Sequence, residues 1–486
     1  MKIYIIGGGS SGWMTATTML TKFPDADITV VESPSKPPVG VGESTTQYFR
    51  IWAKYVGLKD EEWMPACDAT YKISVRFSNF HDVDDTPWQY PFGSPNTNLP
   101  YPDVWFWNQY RRGWSNDKFA RDYWIAAECA EHNLLPIRDP SFDIKRNTGF
   151  HFDAVKFAEW LRDNKCQSVK RIIGTVDDFE RVGDDIKYLW IDEKQHEADL
   201  YFDCTGFTSL LNNSEWLDYS DWLPNDTAWV TRLEYKDKQE ELKSYTQCTA
   251  LSSGWVWTVP TFARIGTGYV FSSKYQDHQS ALKEFASFLK YDTEEFRKIH
   301  FKTGRKKEIW CGNVVSIGLS GGFIEPLESN GLLSVHEFLL KFCRMWRPHT
   351  TQMMRDTYNK AVAFAFDGFA SFVALHYALT QRHDSDYWKA VSQIRYPDGN
   401  MIEAAKITMM EESHNFASKL NWEGDSLYCV MAGHGWNPFN DVIESEILFH
   451  GGIPEDSHLN SWTHEWNHAR LGVNPLDYYN RTLYAV

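Results

Sequence analysis

A strand that runs directly into a glycine-rich turn narrows the possible architectures of this chain the most, and it favours an α/β architecture. Residues 3–6 form an apolar run typical of a buried parallel strand, and Gly7, Gly9 and Gly12 follow it in G-x-G-x-x-G spacing. The first glycine permits a tight turn, the second lets the backbone approach a pyrophosphate, and the third allows close helix packing. The pattern therefore predicts a βαβ unit whose helix N-terminus binds a dinucleotide.

The residues after the turn complete this unit. Their spacing predicts a helix over residues 13–22 and a second strand over residues 28–31, which ends at Glu32. Glu32 lies 20 residues after Gly12, where an acidic side chain can hold a ribose hydroxyl. The alternative is an ordinary glycine turn in an α/β protein, but strand, helix and acid together favour the dinucleotide.

Further patterns predict an interwoven α/β fold. The predicted segments are a strand over 70–80, an irregular insertion over 81–115, a helix over 153–165, a strand at 200–203 running into a glycine turn, an antiparallel sheet over 231–273, an amphipathic helix over 331–346 and mainly helices after 348. Because the chain has no repeat and no low-complexity linker, we expect one interwoven unit. Its fold class is a Rossmann-like α/β module with an antiparallel sheet, plus a mainly helical module.

Composition excludes several classes of partner. The net charge is −16, so a phosphate backbone is an unfavourable ligand and no nucleic acid is expected. The eight cysteines show no CxxC spacing, which favours buried thiols in a reducing compartment. No run of 18 apolar residues predicts a membrane span, and a strand that begins at Lys2 leaves no room for a signal peptide. We therefore expect a cytoplasmic protein with no membrane partner.

An aromatic motif and a lysine suggest chemistry away from the nucleotide. Residues 254–260, GWVWTVP, place Trp255 and Trp257 in a stiff aromatic wall that would keep a cofactor apart from a substrate. Lys72 lies among weakly polar neighbours in the predicted strand. Such a lysine usually reaches out to water, and the spacing alone favours that interpretation. The functional alternative is an ammonium that donates hydrogen bonds to a reactive intermediate.

A polar turn precedes the helix predicted over residues 331–346. Backbone N–H groups at Asn330 and Gly331 would lie at the helix N-terminus, which carries partial positive charge and attracts anions. Glu328 would stand beside them as a base or an orienting carboxylate. The alternative is simple helix capping by Ser329 or Asn330.

Residues 464–468, HEWNH, match the H-E-x-x-H motif of zinc hydrolases. The motif needs both histidines one turn apart on a helix and a third ligand. The residues after His468 contain no His, Cys or Glu, and neither His458 nor Asp477 has a persuasive spacing. We therefore interpret the segment as a surface helix, predict no metal site, and keep the zinc hydrolase as a remote alternative.

Taken together, these segments resemble the flavin-dependent tryptophan halogenase family over most of the chain. GWVWTVP is similar to the Trp-x-Trp signature, GGGSSG to the FAD-binding turn, and residues 39–45 to the loop that covers the flavin. Residues 151–153, 203–207 and 318–323 also resemble family segments. The resemblance implies these cofactor-binding residues: Gly7, Gly9, Ser10, Ser11, Gly12, Glu32, Val41, Gly42, Glu43, Val176, Gly318 and Leu319.

The same resemblance implies a catalytic site. Lys72 matches the family's essential lysine and Glu328 its active-site glutamate, while Ser329, Asn330 and Gly331 match the turn that holds halide. The family usually has threonine where this chain has Asn330. The preference among chloride, bromide and iodide therefore stays open.

The resemblance also implies a substrate pocket that contains Phe92, Trp255, Trp257, Tyr428 and His434. Relatives that act on free tryptophan hold its amino-acid group with two tyrosines and a glutamate. Here Leu427 and His434 stand at altered positions, so a buried ammonium would be poorly paired.

The predicted activity is FAD-dependent halogenation of electron-rich aromatic or heteroaromatic small molecules, with an FAD-dependent aromatic monooxygenase as the alternative. Only one G-x-G-x-x-G turn is followed by a βαβ pattern, so we expect a separate flavin reductase to supply reduced FAD. A homo-oligomer is possible. The FAD-binding module is expected at about residues 1–80 and 150–345, and the substrate-binding module at about 81–149 and 346–486.

Overall fold

The structure is a computed structural model that describes residues 1–34, 43–100, 102–291, 295–393, 425–449, 451 and 465–485. Within these residues the strands are β1 (Lys2–Ile6), β2 (Asp27–Glu32), β3 (Glu43–Ser44), β4 (Thr70–Lys72), β5 (Ser74–Ser78), β6 (Trp88–Pro91), β7 (Gly149–Phe152), β8 (Lys170–Ile173), β9 (Val176–Val182), β10 (Asp185–Ile191), β11 (Lys194–His196), β12 (Leu200–Asp203), β13 (Trp216–Asp218), β14 (Thr227–Leu233), β15 (Tyr245–Leu251), β16 (Gly254–Pro260), β17 (Ile265–Phe271), β18 (Arg297–His300), β19 (Gly304–Lys306), β20 (Trp310–Cys311), β21 (Val314–Ser316) and β22 (Gly322–Phe323).

The helices in the same residues are α1 (Ser10–Lys22), α2 (Phe49–Tyr55), α3 (Asp60–Trp63), α4 (Pro102–Arg112), α5 (Lys118–Tyr123), α6 (Ile125–Glu131), α7 (Ala154–Asn164), α8 (Lys238–Glu241), α9 (His278–Leu289), α10 (Asn330–Met345), α11 (Gln352–Ala378), α12 (Asp386–Val391), α13 (Asp425–Gly433), α14 (Asp441–Phe449), α15 (His468–Leu471) and α16 (Pro475–Arg481). Short 3₁₀ turns lie at Pro65–Cys67, Gly206–Thr208, Gly318–Ser320 and Pro326–Glu328.

The first sheet contains the predicted βαβ unit. Its strand order is β20-β21-β12-β1-β2-β8, and β1 pairs in parallel with both β2 and β12. The apolar residues of β1 are buried because helices and loops cover both faces of a parallel sheet. Helix α1 follows β1 directly and returns the chain to β2, which confirms the predicted α/β fold class. The division into two modules stays a prediction.

The second sheet is the predicted antiparallel one. Its order is β18-β14-β17-β16-β15-β5-β6, and β14 to β17 are joined by antiparallel pairs. Side chains alternate between faces along a strand, so Trp255 and Trp257 of β16 share one face and Val256 takes the other. The two tryptophans belong to the large buried core, whereas Val256 packs in a separate cluster with Phe271 and Phe285.

The segment around Lys72 differs from its prediction. The expected single strand over residues 70–80 is broken at Ile73: β4 pairs with β7, whereas β5 pairs with β15 and β6. The break occurs because the Ile73 N–H donates to the Ser244 carbonyl and its own carbonyl accepts from Phe92. The irregular insertion predicted over 81–115 is also wrong, since β6 and α4 form there.

One helix of the described residues, α11, passes a length and composition test for a membrane span. Half of its most apolar window is buried inside the protein. The core helix of a soluble protein passes the same test, so length and composition alone decide nothing here. Helix α11 packs against α10, and its Tyr358, Val362 and Phe366 lie in the main core.

Candidate active site

Lys72, at the end of β4, is buried with no exposed surface. Its Nζ donates to Ser44 Oγ at 2.9 Å and to Ser329 Oγ at 2.5 Å, and it lies 5.0 Å from the centre of the Phe92 ring. The structure therefore does not support a lysine that reaches out to water. Burial lowers the pKa of Lys72 from 10.5 to about 7, against the opposing effect of Cys248 and Glu328.

A chain of hydroxyl groups continues from Lys72 into the sheet. Ser44 Oγ lies 2.9 Å from Thr246 Oγ1 and 3.0 Å from Ser329 Oγ, and Thr246 Oγ1 lies 2.8 Å from His151 Nε2. Burial, and then the charge of Lys72, lower the pKa of His151 well below its usual range. A neutral imidazole thus closes this side of the site, and Lys72 is the group there that carries charge near neutral pH.

The turn before α10 brings Glu328 and Ser329 to the same site. Ser329 adopts a left-handed conformation (φ 57°), and its side chain does not cap the helix. Asn330 is 6% exposed, yet both polar atoms of its amide lack a hydrogen-bond partner. Simple helix capping, the alternative weighed for this turn, is therefore absent at Ser329. The helix N-terminus and the unpaired amide together offer hydrogen-bond donors suited to an anion.

A hydrogen bond holds Trp255 in place, and a facing glycine accommodates Trp257. Trp255 is fully buried and its indole N–H donates to Glu325 Oε2 at 2.8 Å. Trp257 lies opposite Gly268, where an added Cβ would be 2.2 Å from the indole, so the glycine makes room for the ring. The two indole centres are 6.1 Å apart. They form a rigid wall, because buried indoles with fixed partners have little freedom to rotate.

The glycine turn after β1 has the close approaches that its motif predicts. Gly7 has φ 115°, and a Cβ there would lie 2.2 Å from the Cys204 carbonyl oxygen. A Cβ on Gly12 would lie 1.8 Å from the Gly7 carbonyl oxygen. Gly9 caps α1 without a side chain, so the first N–H groups of α1 stay open to a ligand. This cradle fits the pyrophosphate of FAD.

Other predicted cofactor residues surround this turn. Glu32 accepts from Trp13 Nε1 at 2.8 Å and from Arg171 Nε at 2.6 Å, so its carboxylate already has partners. Gly318 approaches Ser11, with a built Cβ 3.1 Å from the serine Cβ.

Further members of the predicted set lie near the turn or outside the described residues. Ser10 Oγ donates to the Ala154 carbonyl, Leu319 is half-buried beside Gly318, and Val176 packs against the small core cluster that contains Val31. Val41 and Gly42 lie outside the described residues, and of Glu43 the backbone pairing with Phe152 is described.

The predicted substrate residues occupy two neighbouring places. Phe92 packs beside Lys72 and over Gly149, where a built Cβ would lie 2.9 Å from its ring. Tyr428 is buried on α13, with its ring 6.4 Å from that of Phe106. His434 is also buried, and its Nε2 lies 3.4 Å from His376 Nδ1.

The zinc motif lacks the helix that it requires. Within the described part of the segment, α15 begins at His468, with Asn467 as its cap, and Glu465 precedes the helix; His464 lies outside the described residues. The expected surface helix is therefore wrong for residues 465–467. His468 stacks on His132 at 3.5 Å with planes 7° apart, and both approach Glu128, which is also paired with Arg121. One ion cannot lie in two parallel ring planes, so the arrangement disfavours zinc.

The sequence did not point to several members of the site. His376 Nε2 lies 2.7 Å from Glu328 Oε1 although 48 residues separate them. Cys248 Sγ approaches the Leu327 carbonyl, and burial raises the pKa of its thiol. Ser44 lay in a segment identified only as part of a flavin loop. No local motif marks these positions, because tertiary folding alone brings them together.

Several known proteins with similar sequences are tryptophan halogenases. A family model described as tryptophan halogenase matches residues 2–444. Tryptophan 6-halogenase SttH from Streptomyces toxytricini is 32% identical over 479 residues, 89% of each chain. Tryptophan 7-halogenase RebH from Lentzea aerocolonigenes is 30% identical over 478 residues, 90% of each chain.

Solved structures of similar fold include a flavin-dependent halogenase. The VirX1 apo structure has a TM-score of 0.85 and 31% identity, covering 99% of this chain and 96% of its own. Tar14, a tryptophan C-6 flavin-dependent halogenase from taromycin biosynthesis, has a TM-score of 0.85 and 27% identity, covering all of both chains. The fold and the relatives of this chain define it as a flavin-dependent halogenase, an enzyme that uses reduced FAD, oxygen and halide. The chain belongs to the tryptophan halogenase family.

Proposed function

We propose that this enzyme installs chloride, bromide or iodide on electron-rich aromatic or heteroaromatic small molecules, with Lys72 and Glu328 as its catalytic residues. The observation that carries the proposal is the fully buried Lys72 ammonium, bonded to Ser329 in the same turn that carries Glu328. A buried amine is costly to charge. Chemistry that needs a hydrogen-bond donor would account for a buried lysine at this position.

Bound reduced FAD supplies the oxidising chemistry, in which oxygen and halide yield hypohalous acid. The glycine turn with Ser10 and Ser11 would hold its pyrophosphate, because Gly7 and Gly12 allow the close backbone packing of the turn and Gly9 leaves the first N–H groups of α1 without a side-chain cap. Glu32, Gly318, Leu319, Val176 and residues 41–43 complete the proposed cofactor set. A separate reductase is proposed as the source of reduced FAD, since the chain has one such turn.

The halide would bind at the N-terminus of α10. Asn330 and Gly331 would provide backbone N–H groups there, and the unpaired Asn330 amide offers a further donor. Ser329 would line the same site, although its own N–H already donates to the Pro326 carbonyl. An added Cβ on Gly331 would meet no atom within 4 Å, so this side of the turn has open space. That space supports a site able to accept halides of different radius.

Lys72 would deliver the electrophilic halogen. With a pKa of about 7, its side chain is both charged and neutral in comparable amounts near neutral pH. The ammonium donates a hydrogen bond to the oxygen of hypohalous acid, which weakens the oxygen–halogen bond. When the aromatic ring attacks the halogen, a carbon–halogen bond forms and the oxygen leaves as water with a proton from Lys72.

Glu328 would accept the proton that the ring carbon loses. The ring carbon is oxidised by two electrons, the halogen goes from +1 in hypohalous acid to −1 in the carbon–halogen bond, and the ring proton passes through Glu328 back to the amine of Lys72. The electrostatic coupling between Glu328 and Lys72 supports this return. The wall of Trp255 and Trp257 would keep the substrate away from the cofactor, so that the ring is halogenated and not hydroxylated.

The substrate pocket would take a compact aromatic ring and not free tryptophan. Phe92 offers an aromatic face beside Lys72, and Tyr428 packs deeper on α13. His434 is held against His376 and carries no carboxylate for an amino-acid ammonium. We also expect a cytoplasmic enzyme, which agrees with eight buried free cysteines.

Mass spectrometry of an aromatic panel, incubated with reduced FAD, oxygen and mixed halides, tests the proposal. We expect halogenated products that vanish without halide and are lost in Glu328→Gln. Glu61→Gln is the control, because Glu61 is an exposed acid paired with Lys145. Oxygenated products formed equally well without halide would instead establish the monooxygenase alternative.

A further inference from the structure

Two buried histidines stand behind Glu328. His376, on α11, places Nε2 at 2.7 Å from Glu328 Oε1, and His434, just after α13, places Nε2 at 3.4 Å from His376 Nδ1. The exposed fractions of the two histidines are 0% and 1%. A carboxylate and two imidazoles from three separate elements thus form one line of hydrogen bonds inside the core.

Aromatic rings fix the orientation of this line. His376 stacks on Phe77 at 4.6 Å and lies parallel to Trp88 at 6.0 Å, and His434 meets Trp88 edge-on at 5.5 Å. A Cβ on Gly433 would lie 2.2 Å from Trp88, so the chain before His434 is also pressed against it. Rings packed on several sides rotate little, and the imidazole nitrogens therefore keep their positions.

We infer that His376 and His434 are positioning residues that hold Glu328 ionised and oriented to take the ring proton. The inference rests on the proposed function, because it names what prepares Glu328 for that step. The Nε2–H of His376 donates to Oε1 and leaves Oε2 for the incoming proton. Neither histidine gains or loses a proton in this step. The proton that arrives on Oε2 of Glu328 leaves again to Lys72.

His434 sets which nitrogen of His376 carries hydrogen. If His434 donates from Nε2 to Nδ1 of His376, then Nε2 of His376 must be the protonated nitrogen and can donate to the carboxylate. The reverse arrangement would present a bare nitrogen lone pair to an ionised carboxylate, which is repulsive. The second imidazole therefore acts on Glu328 through the first.

The charged and titratable neighbours agree with a neutral His434. Lys72 and Cys248 face Glu328, whereas His81 faces His434 from the loop after β5, and Asp85 lies 3.9 Å from His81. Burial, and then His376 and His81, lower the pKa of His434 well below its usual range. His434 thus stays neutral and can act as a fixed donor.

Two variants of His376 distinguish a role as hydrogen-bond donor from a role that only fills space. His376→Gln keeps an N–H near the place of Nε2, whereas His376→Leu keeps volume without a donor. His336→Gln is the matched control, because His336 on α10 is equally buried but packs against Phe49. The direct readout is the infrared carbonyl band of protonated Glu328, identified as the band that Glu328→Gln removes, measured on protein without turnover.

We expect the protonated Glu328 band to appear at higher pH in His376→Leu than in wild type, with smaller changes in His376→Gln and none in His336→Gln. Equal bands in all variants would overturn the inference. Should His376→Leu fail to fold, ¹⁵N spectra of the wild type decide: hydrogen on Nδ1 of His376 would overturn the inference, and hydrogen on Nε2 alone supports it.

Turnover supplies the second arm. With an aromatic substrate, kcat should fall about 10- to 100-fold in His376→Leu, the loss expected for a hydrogen bond to a charged group, while KM changes little. Recovery of most activity in His376→Gln supports positioning, and no recovery contradicts it. If wild type yields no halogenated product at all, the proposed function fails while the infrared result still judges the histidines.

Discussion

Replacing Lys72 by methionine should stabilise the protein in a pH-dependent way while abolishing halogenation. Methionine has a similar volume and no charge, so it removes the cost of burying an ammonium without opening a large cavity. The hydroxyls of Ser44 and Ser329, which bind Nζ in the wild type, lie 3.0 Å apart and can bond each other. The substitution therefore isolates the electrostatic cost of the lysine.

The expected magnitude follows from the pKa of Lys72. Because the native pKa lies near 7 and the unfolded one near 10.5, the native state binds fewer protons between these values, and wild-type stability rises with pH across that window. The full difference corresponds to about 5 kcal/mol. The advantage of Lys72→Met should therefore be about 5 kcal/mol at about pH 6 and shrink to about 2 kcal/mol at about pH 9.

Urea unfolding of both proteins at the two pH values measures this change. Lys243→Met is the control: burial also lowers the pKa of Lys243, but this residue is half-buried and outside the site, so a smaller pH-dependent gain is expected. A constant difference between Lys72→Met and wild type at both pH values would refute a buried, depressed lysine. A Lys72→Met variant that is less stable than wild type at the lower pH would refute it as well.

Three further substitutions test separate parts of the structure. Gly12→Ala should impair folding or FAD binding, because its Cβ would lie 1.8 Å from the Gly7 oxygen; soluble protein with unchanged FAD affinity in a fluorescence titration would contradict the tight turn. Glu325→Ala should cost at least about 3 kcal/mol in urea unfolding, since Trp255 and two other buried donors lose their acceptor. Gly331→Ala should fold normally but raise the KM for halide, measured by product formation at varied bromide, because its methyl enters the open side of the turn.

Local patterns predicted the part of the fold that local forces determine. The β1, α1 and β2 elements follow from apolar spacing and from the close approach of Gly12 to Gly7 within the same unit, whereas the approach of Gly7 to Cys204 is a tertiary contact. The insertion over residues 81–115 was misjudged because β6 forms by pairing with β5, and its own composition, with proline and tryptophan, carries no strand periodicity. Strand pairing of this kind is a tertiary property.

The candidate site was predicted by residue but not by contact. Lys72 and Glu328 were identified through resemblance, yet spacing alone favoured a solvated lysine. Its partners Ser44 and Ser329 lie 28 and 257 residues away, and His376 lies 48 residues from Glu328. Burial and long-range hydrogen bonds set the chemistry of these groups, and neither is visible in a window of sequence.

In the proposed mechanism, hypohalous acid forms at the cofactor and halogenates the substrate at Lys72, so the two half-reactions are separated in space. A single assay tests this separation: wild type and Lys72→Met receive reduced FAD, oxygen, bromide, an aromatic substrate and a soluble trap for hypohalous acid, and both halogenated products are quantified. We expect Lys72→Met to halogenate the trap at the wild-type rate or faster while the aromatic product disappears. Aromatic product at the wild-type level in Lys72→Met would contradict the proposed separation, as would loss of trap and aromatic product together.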